Sequence, residues 1–397
     1  MWQRLLDRVL TRFVRAGALH VTWPDGTTGL YGDGGDPVRV TVSDPALVRR
    51  LILTPDLAAG EGYMDGTLTV ANDDLAGFVA LAMRNRIDDG DPAIMRLGRT
   101  LSGPPQRFLH RNGLTRSRLN VAHHYDLSSD LYDLFLDADR QYSCAYFARP
   151  DMTLEQAQVA KKAHIAAKLR LAPDMRVLDI GCGWGGMALT LARDHGARVV
   201  GVTLSAEQHR MARDRVAEAG LSDRIDIRLM DYRDVTGPFD RIVSVGMFEH
   251  VGRPNYAQYF NRVRDLLTPD GIALIHTIGT QSPPRATSAW IRRYIFPGGY
   301  LPALSEIVST VEHAHLTLTD VEILRDHYAQ TLRHWHARFA ARIDEARALY
   351  DDRFCRMWRF YLTASELAFV LDRLAVFQIQ IARGRDAVPI TRDYIYD

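Results

Sequence analysis

Lysine is nearly absent from this 397-residue chain: Lys161, Lys162 and Lys168 are its only examples, so arginine supplies almost all of the 49 basic side chains. The bias reads first as codon usage and only second as chemistry. Cysteine is equally scarce. Cys144, Cys182 and Cys355 are too few and too scattered for a disulfide framework or a cysteine-rich zinc site, so no metal is expected and a reducing, cytoplasmic compartment fits. There is no excess of either charge: 48 acidic residues face the 49 basic ones, and a formal net charge of +1 excludes a globally basic nucleic-acid binder. Long apolar runs are missing as well. The most lipid-like stretch, ELAFVLDRLAVF from Glu366, is cut by Asp372 and Arg373, well short of the roughly 20 residues needed to cross a bilayer. Arg4, Asp7, Arg8 and Arg12 likewise break up any secretory signal at the N-terminus.

What remains is an ordinary globular composition, 47% hydrophobic and 24% charged, long enough for two or three domains. Trp2, Leu5, Leu6, Val9, Leu10, Phe13 and Val14 recur at i, i+3, i+4 spacing and predict a helix with one apolar face. With Arg4, Arg8, Arg12 and Arg15 opposite, that helix suits either an anionic membrane surface or packing on its own domain. From His20 to about Asn85, alternating stretches such as VRVTVS from Val38 and turns such as GDGG from Gly32 predict a small α/β or α+β module. Between Pro92 and Tyr125 there is no acidic residue, while Arg96, Arg99, Arg107, Arg111, Arg116 and Arg118 surround a GPP turn. This is a basic linker, either facing phosphates or simply solvated.

After Met152 the pattern becomes regular. A helix, TLEQAQVAKKAHIAAKLRL, leads into RVLDIG from Arg176, RVVGVTL from Arg198, IDIRLMD from Ile225, DRIVSVG from Asp240 and GIALIHTIG from Gly271, with helices such as SAEQHRMARDRVAEAG between them. Buried strands alternating with helices predict a doubly wound α/β sheet. The aromatic and Gly/Pro-rich stretch from Gln281 to about Thr310 breaks the rhythm and reads as a cap over the C-terminal edge of the sheet. TDVEILR from Thr319 and VFQIQIARG from Val376 read as late strands, with a helix-rich stretch between His327 and Leu374.

Directly after a strand, DIGCGWGG contains Gly181, Gly183 and Gly186 in a formal G-x-G-x-x-G. A dinucleotide fits poorly. Asp179 would repel a pyrophosphate at the helix N-terminus, and GVTLS from Gly201 lacks the acid that grips a ribose. S-adenosylmethionine carries no phosphate and two cationic groups, so Asp179 becomes attractive and the glycines admit close backbone approach. The bland alternative is a glycine-rich turn that holds nothing.

The sequence resembles the cyclopropane fatty acid synthases and the related mycolic acid cyclopropane synthases and methyltransferases. The motifs that carry the resemblance are GEGYMDG from Gly60, HHYDLSSDLY from His123, QYSCAYF from Gln141, VLDIGCGWGG from Val177, GVTLSAEQ from Gly201, DYRD from Asp231, FDRIVSVGMFEHVG from Phe239, HTIG from His276 and YIFPGGYLP from Tyr294. They span nearly the whole chain.

The resemblance implies a Rossmann-like class I S-adenosylmethionine methyltransferase domain at 123–397, with a helical cap at about 281–315. It also implies a small lipid-binding domain at 1–95, with residues 96–122 as linker. Tyr142 and Ser143 would reach over the cofactor, Asp179, Gly181 and Gly183 hold its methionine part, Thr203, Leu204 and Gln208 its ribose and adenosine, and Tyr232 and Arg233 its adenine side. A bicarbonate ion would be held by Cys144, Glu249, His276, the Ile278 backbone and Tyr328. The implied substrate is a membrane phospholipid with a cis-unsaturated acyl chain, reached from the inner membrane face by a peripherally bound protein. A homodimer is implied as well.

Methyl transfer to the alkene leaves a carbocation, whose new methyl group is acidic enough for a weak base to deprotonate and close the ring. Trp290, Tyr294, Phe296 and Tyr300 suit the exclusion of water that this chemistry needs. A related outcome is a methyl or methylene branch; a third is a non-catalytic lipid-binding relative.

Overall fold

Residues 1–86 and 129–396 are described by a computed structural model, and they fall into two units. The basic linker and its arginines, together with His123 and the residues up to Ser128, lie outside the described residues.

In the first unit, β1 (Leu19–Thr22), β2 (Thr28–Tyr31), β3 (Val38–Val42) and β4 (Leu68–Val70) form a sheet in the order β2-β1-β3-β4. β1 runs parallel to β3, and the other pairs are antiparallel. One face of this sheet, including Leu19, Val21, Val40 and Val42, is buried together with Leu6 and Val9 of the helix Trp2–Phe13. Trp2, Leu5, Leu10 and Phe13 pack against the same core. Of the two readings of the amphipathic helix, the structure gives the packed one: its apolar face is committed to its own unit.

Helix Pro45–Leu53 starts on Asp44, whose carboxylate accepts from the Ala46 amide at 2.8 Å, with proline in the first turn where no donor is needed. Helix Pro55–Asp65 follows, carrying Gly60, Glu61 and Gly62 of the GEGYMDG motif. A Cβ on Gly60 would sit 2.4 Å from the Trp290 indole. The glycine is therefore there to seat that ring.

The first unit also holds residues 287–295 and 332–373, which the sequence reading assigned to the catalytic domain and its cap. Long-range contacts decide the matter. Asp56 accepts from Ser288 Oγ at 2.9 Å and from the Ala289 amide at 2.8 Å, capping helix Ala289–Tyr294. Trp290 Nε1 donates to Met64 Sδ at 3.2 Å, and Tyr294 OH donates to Glu61 at 2.7 Å. Phe360 of helix Asp352–Leu371 packs edge-on to Trp290, centroids 4.7 Å apart. Trp290 and Tyr294 thus belong to this core, whereas Phe296 and Tyr300 belong to the second unit.

The second unit is built on β5 (Arg176–Ile180), β6 (Arg198–Thr203), β7 (Ile225–Leu229), β8 (Phe239–Val245), β9 (Leu267–Thr280), β10 (Thr317–Leu324) and β11 (Leu374–Ala382). Their order is β10-β11-β9-β8-β5-β6-β7. β11 is antiparallel to both neighbours, and the remaining pairs are parallel. Alternate residues divide between two cores, as a strand's period of two requires. Val177, Val199, Val243 and Leu274 pack with Ile165, Met187 and Ala212 from the helices Leu154–Leu169, Gly186–His195 and Ala206–Glu218. Leu178, Ile242 and Ile275 face the other way, into Tyr259, Phe260 and Val263 of helix Tyr256–Leu266 and Ile307 and Val311 of helix Leu304–His313. That last helix accounts for part of the expected cap: it is a core-packing element of this unit.

Candidate active site

The strand order reverses at β5: β6 and β7 lie on one side of it, β8 and β9 on the other. Loops leaving neighbouring strand ends diverge at such a point and open a crevice. Here the crevice is a cleft of about 1180 Å³, part of it open to solvent, walled by the segments after β5, β6, β7 and β8 and by residues 140–143. All ten residues assigned to the cofactor line it: Tyr142, Ser143, Asp179, Gly181, Gly183, Thr203, Leu204, Gln208, Tyr232 and Arg233.

The backbone turns sharply after β5. Gly181, Gly183 and Gly185 have φ of 82°, 54° and 83°, in the left-handed region that glycine adopts without strain. At Gly183 a Cβ would meet nothing within 4 Å, so its missing side chain leaves open space. Asp179 is 1% exposed, and its Oδ2 has no hydrogen-bond partner among the described residues. Burial pushes its carboxyl up to about 7, opposed by the positive charge of Lys161. A buried carboxylate with an unpartnered oxygen beside a glycine loop is suited to a cationic ligand and hostile to a phosphate.

Thr203 Oγ1 donates to Gln208 Oε1 at 2.8 Å, which leaves the Gln208 amide NH₂ to serve a hydroxyl. Ser205 caps the helix Ala206–Glu218 that carries Gln208. Arg233 is held against Asp231 by two bonds of 2.8 and 2.7 Å, with its guanidinium 5.5 Å from the Tyr232 ring centre. Asp231 and His250 also line the cleft, and sequence reasoning singled out neither for it. Burial pushes His250 down to about 4, leaving it neutral. The donor set, the orphaned Asp179 oxygen and the open space at Gly183 fit S-adenosylmethionine.

Cys144, Glu249, His276, Ile278 and Tyr328 are not part of the cleft lining, although Cys144 and Glu249 are chain neighbours of the lining residues Ser143 and His250. The Gly246 amide, in the lining, donates to the His276 carbonyl at 2.8 Å. Glu249 and Ile278 are joined directly, the Ile278 amide donating to Glu249 Oε1 at 2.6 Å. Glu249 Oε2 is buried without a partner among the described residues, and burial pushes the carboxyl up to about 7.

His276 is 2% exposed and held far below the ordinary imidazole range by burial, so it is neutral. Gln378 Nε2 stands 3.2 Å from its Nδ1. An amide NH₂ donates, which puts the imidazole proton on Nε2, and that nitrogen is buried with no partner among the described residues. An orphaned donor on His276 and an orphaned acceptor on Glu249 match an anion that bears one hydroxyl, so these two residues fit bicarbonate. The Ile278 amide is engaged by the same Glu249 carboxylate.

Cys144 and Tyr328 come to one neighbourhood. The Ala145 amide donates to Thr331 Oγ1 and the Phe147 amide to His327 Nδ1, each at 3.0 Å, which lays residues 144–147 along the first turn of helix His327–Ala341. Burial pushes the Cys144 thiol up, so it stays protonated. Among the described residues no group of three or more His, Cys, Asp or Glu is placed to hold a metal ion.

A family model described as mycolic acid cyclopropane synthetase matches residues 112–379. The cyclopropane-fatty-acyl-phospholipid synthase of Escherichia coli (strain K12) is 38% identical over 383 residues, covering 96% of this chain and 94% of its own. The tuberculostearic acid methyltransferase of Mycobacterium tuberculosis is 36% identical, with 96% and 91% covered. Among solved structures, a mycolic acid cyclopropane synthase complexed with SAH and CTAB superposes with a TM-score of 0.64 at 36% identity, covering 67% of this chain and 98% of that one.

Proposed function

This chain belongs to the mycolic acid cyclopropane synthetase family, and we propose that it uses S-adenosylmethionine to convert the cis double bond of a phospholipid acyl chain into a cyclopropane ring. The observation that carries the choice of lipid is the extent of the match. The mycolic acid synthase corresponds to 67% of this chain, and the family model begins at residue 112, after most of the first unit. The Escherichia coli phospholipid enzyme matches 96% of the chain.

Asp179 takes the ligand's amino group, the Gly181–Gly183 turn its methionine backbone, Gln208 a ribose hydroxyl, and Tyr232 with Arg233 the adenine edge. Tyr142 and Ser143 close over the sulfonium. The cofactor supplies an activated methyl. The alkene π pair forms the new carbon–carbon bond as the methyl–sulfur bond breaks, leaving S-adenosylhomocysteine and a cationic acyl chain. Loss of one proton from the transferred methyl frees the electron pair that closes the ring. Bicarbonate would supply the weak base for that proton. His276 Nε2–H would donate to the anion and hold it in place, while Glu249 Oε2 would accept its hydroxyl hydrogen, leaving the anion's basic oxygen free for the proton. Cys144 and Tyr328 would be the anion's remaining neighbours.

Among the described residues no helix is long and apolar enough to cross a membrane. The proposal places the protein peripherally on the inner membrane face, with the arginines of residues 96–118 as its phosphate contacts and a homodimer as its assembly. Methyl-labelled S-adenosylmethionine and vesicles of cis-unsaturated phospholipid provide the test: label must enter the phospholipid and depend on the double bond. Label in a saturated lipid, or none at all, refutes the reading. The similarity to a tuberculostearic acid methyltransferase favours a second outcome, in which the cation loses a different proton and leaves a methyl- or methylene-branched alkene. That branched alkene has the same formula as the ring, so the product must be read by NMR and not by mass.

A further inference from the structure

Arginine serves nearly everywhere that this chain needs a positive charge, yet three lysines remain, all on helix Leu154–Leu169. Lys161, Lys162 and Lys168 are 0%, 6% and 1% exposed. Lys162 meets Asp139 at 2.5 Å, and Lys168 meets Glu322. Lys161 is different. Its ammonium donates to two neutral groups, Gln141 Oε1 at 2.5 Å and Ser143 Oγ at 2.9 Å, and no carboxylate among the described residues lies within ion-pair distance. An ammonium fully removed from water without a paired anion is costly and calls for a compensating role.

Both of its partners line the cofactor cleft. One turn earlier on the same helix, Gln158 Nε2 donates to the carbonyls of Gln141 and Ser143 at 3.2 and 3.0 Å, so the helix grips this strip by backbone and side chain together. The groups in the field of Lys161 are Asp137, Asp139, Lys162, Cys144, Asp179 and His276. Among these, Asp179 bears the orphaned oxygen in the cleft.

We propose that Lys161 is a positioning residue for methyl transfer: its buried ammonium fixes Gln141 and Ser143 in the wall of the cofactor cleft and sets a positive charge in the field of Asp179, the carboxylate that receives the cofactor's amino group. The inference rests on the cofactor reading above. Arginine cannot take this place, because a planar guanidinium is larger and spreads its donors along a fork, whereas the site holds one compact ammonium. The same charge disfavours a proton on His276 and so helps keep that ring neutral.

The test is S-adenosylhomocysteine binding to the full chain by calorimetry from pH 6 to 9, for the wild type, Lys161→Met and Lys161→Arg, with a melting curve at each pH. Wild-type affinity falls below about pH 7 as Asp179 takes up a proton. In Lys161→Met that edge moves to higher pH, weakening binding at pH 7 by on the order of tenfold, with partial recovery at pH 9. In Lys161→Arg the edge stays in place while affinity drops through displacement of Ser143. The ligand's own titration is common to all three and cancels. A folded Lys161→Met with the wild-type edge and affinity overturns the inference and leaves the cofactor reading standing; no binding to the wild type overturns both.

A reciprocal measurement leaves Lys161 untouched. With lysine alone labelled at ¹³Cε, the Lys161 resonance of the free protein titrates near pH 8, and in Asp179→Asn its midpoint falls. An unchanged midpoint refutes the coupling.

Discussion

Replacing Glu249 with glutamine should separate stability from activity in opposite directions. Glutamine keeps an oxygen for the Ile278 amide, now at 2.6 Å from Oε1, but puts an NH₂ where the unpartnered Oε2 acceptor stands. In the fold, burial holds the Glu249 carboxyl at about 7, against 4.5 for an ordinary glutamate. A folded-state value above the unfolded one gives stability that is fully present below about pH 4.5 and lost as pH rises through 7. At pH 8 the ionised carboxylate therefore costs about 3 kcal/mol relative to its protonated form. Glu249→Gln never ionises, so it should be more stable than the wild type at pH 8, with the gap closing towards pH 5. Urea unfolding followed by fluorescence at pH 5, 6.5 and 8 measures it. Turnover should fall by on the order of a hundredfold, the scale for loss of a group that positions a proton acceptor, while S-adenosylhomocysteine affinity changes little because Glu249 does not line the cleft. A variant less stable than the wild type at pH 8, or one with near-normal turnover, refutes this reasoning.

Asp179→Asn should weaken S-adenosylhomocysteine binding by roughly 10- to 100-fold, the worth of about 1.5–3 kcal/mol for a charge-assisted hydrogen bond; calorimetry at pH 8 reads it, and unchanged affinity contradicts the role. Gly183→Val should bind no cofactor while the chain still folds, since its φ of 54° strains a branched residue and the open space in front of it becomes filled; circular dichroism and calorimetry together check this. Leu6→Ala should destabilise the first unit by about 2–5 kcal/mol, the usual cost of a truncated core leucine. Unaltered melting of that variant would mean that the helix Trp2–Phe13 is not packed as described.

The sequence anticipated the second sheet strand by strand, because strands covered on both faces leave near-continuous apolar runs such as GIALIHTIG from Gly271. The cofactor cleft was legible for a related reason. Tyr232, Thr203 and Asp179 stand in motifs just at or beyond strand ends, and a doubly wound topology gathers such ends at its switch point. The boundary of the first unit was not legible. That Trp290 and helix Asp352–Leu371 belong with residues 1–86 depends on the bond from Trp290 to Met64 and the ring contact with Phe360, contacts across 226 and 70 residues that leave no local periodicity. Nor could the pattern show that Gln378 faces His276 across β11 and β9. The scarcity of lysine was in plain view, but it acquired meaning only once all three side chains proved to be buried on one helix.

Ring formation itself is read by proton NMR of the phospholipid recovered after incubation with S-adenosylmethionine, bicarbonate and cis-unsaturated vesicles. Ring-methylene signals should appear upfield of the acyl envelope, growing as the alkene signals vanish and failing to grow in His276→Ala. Methyl-branch or exocyclic-methylene signals in their place, or an untouched alkene, would contradict ring formation.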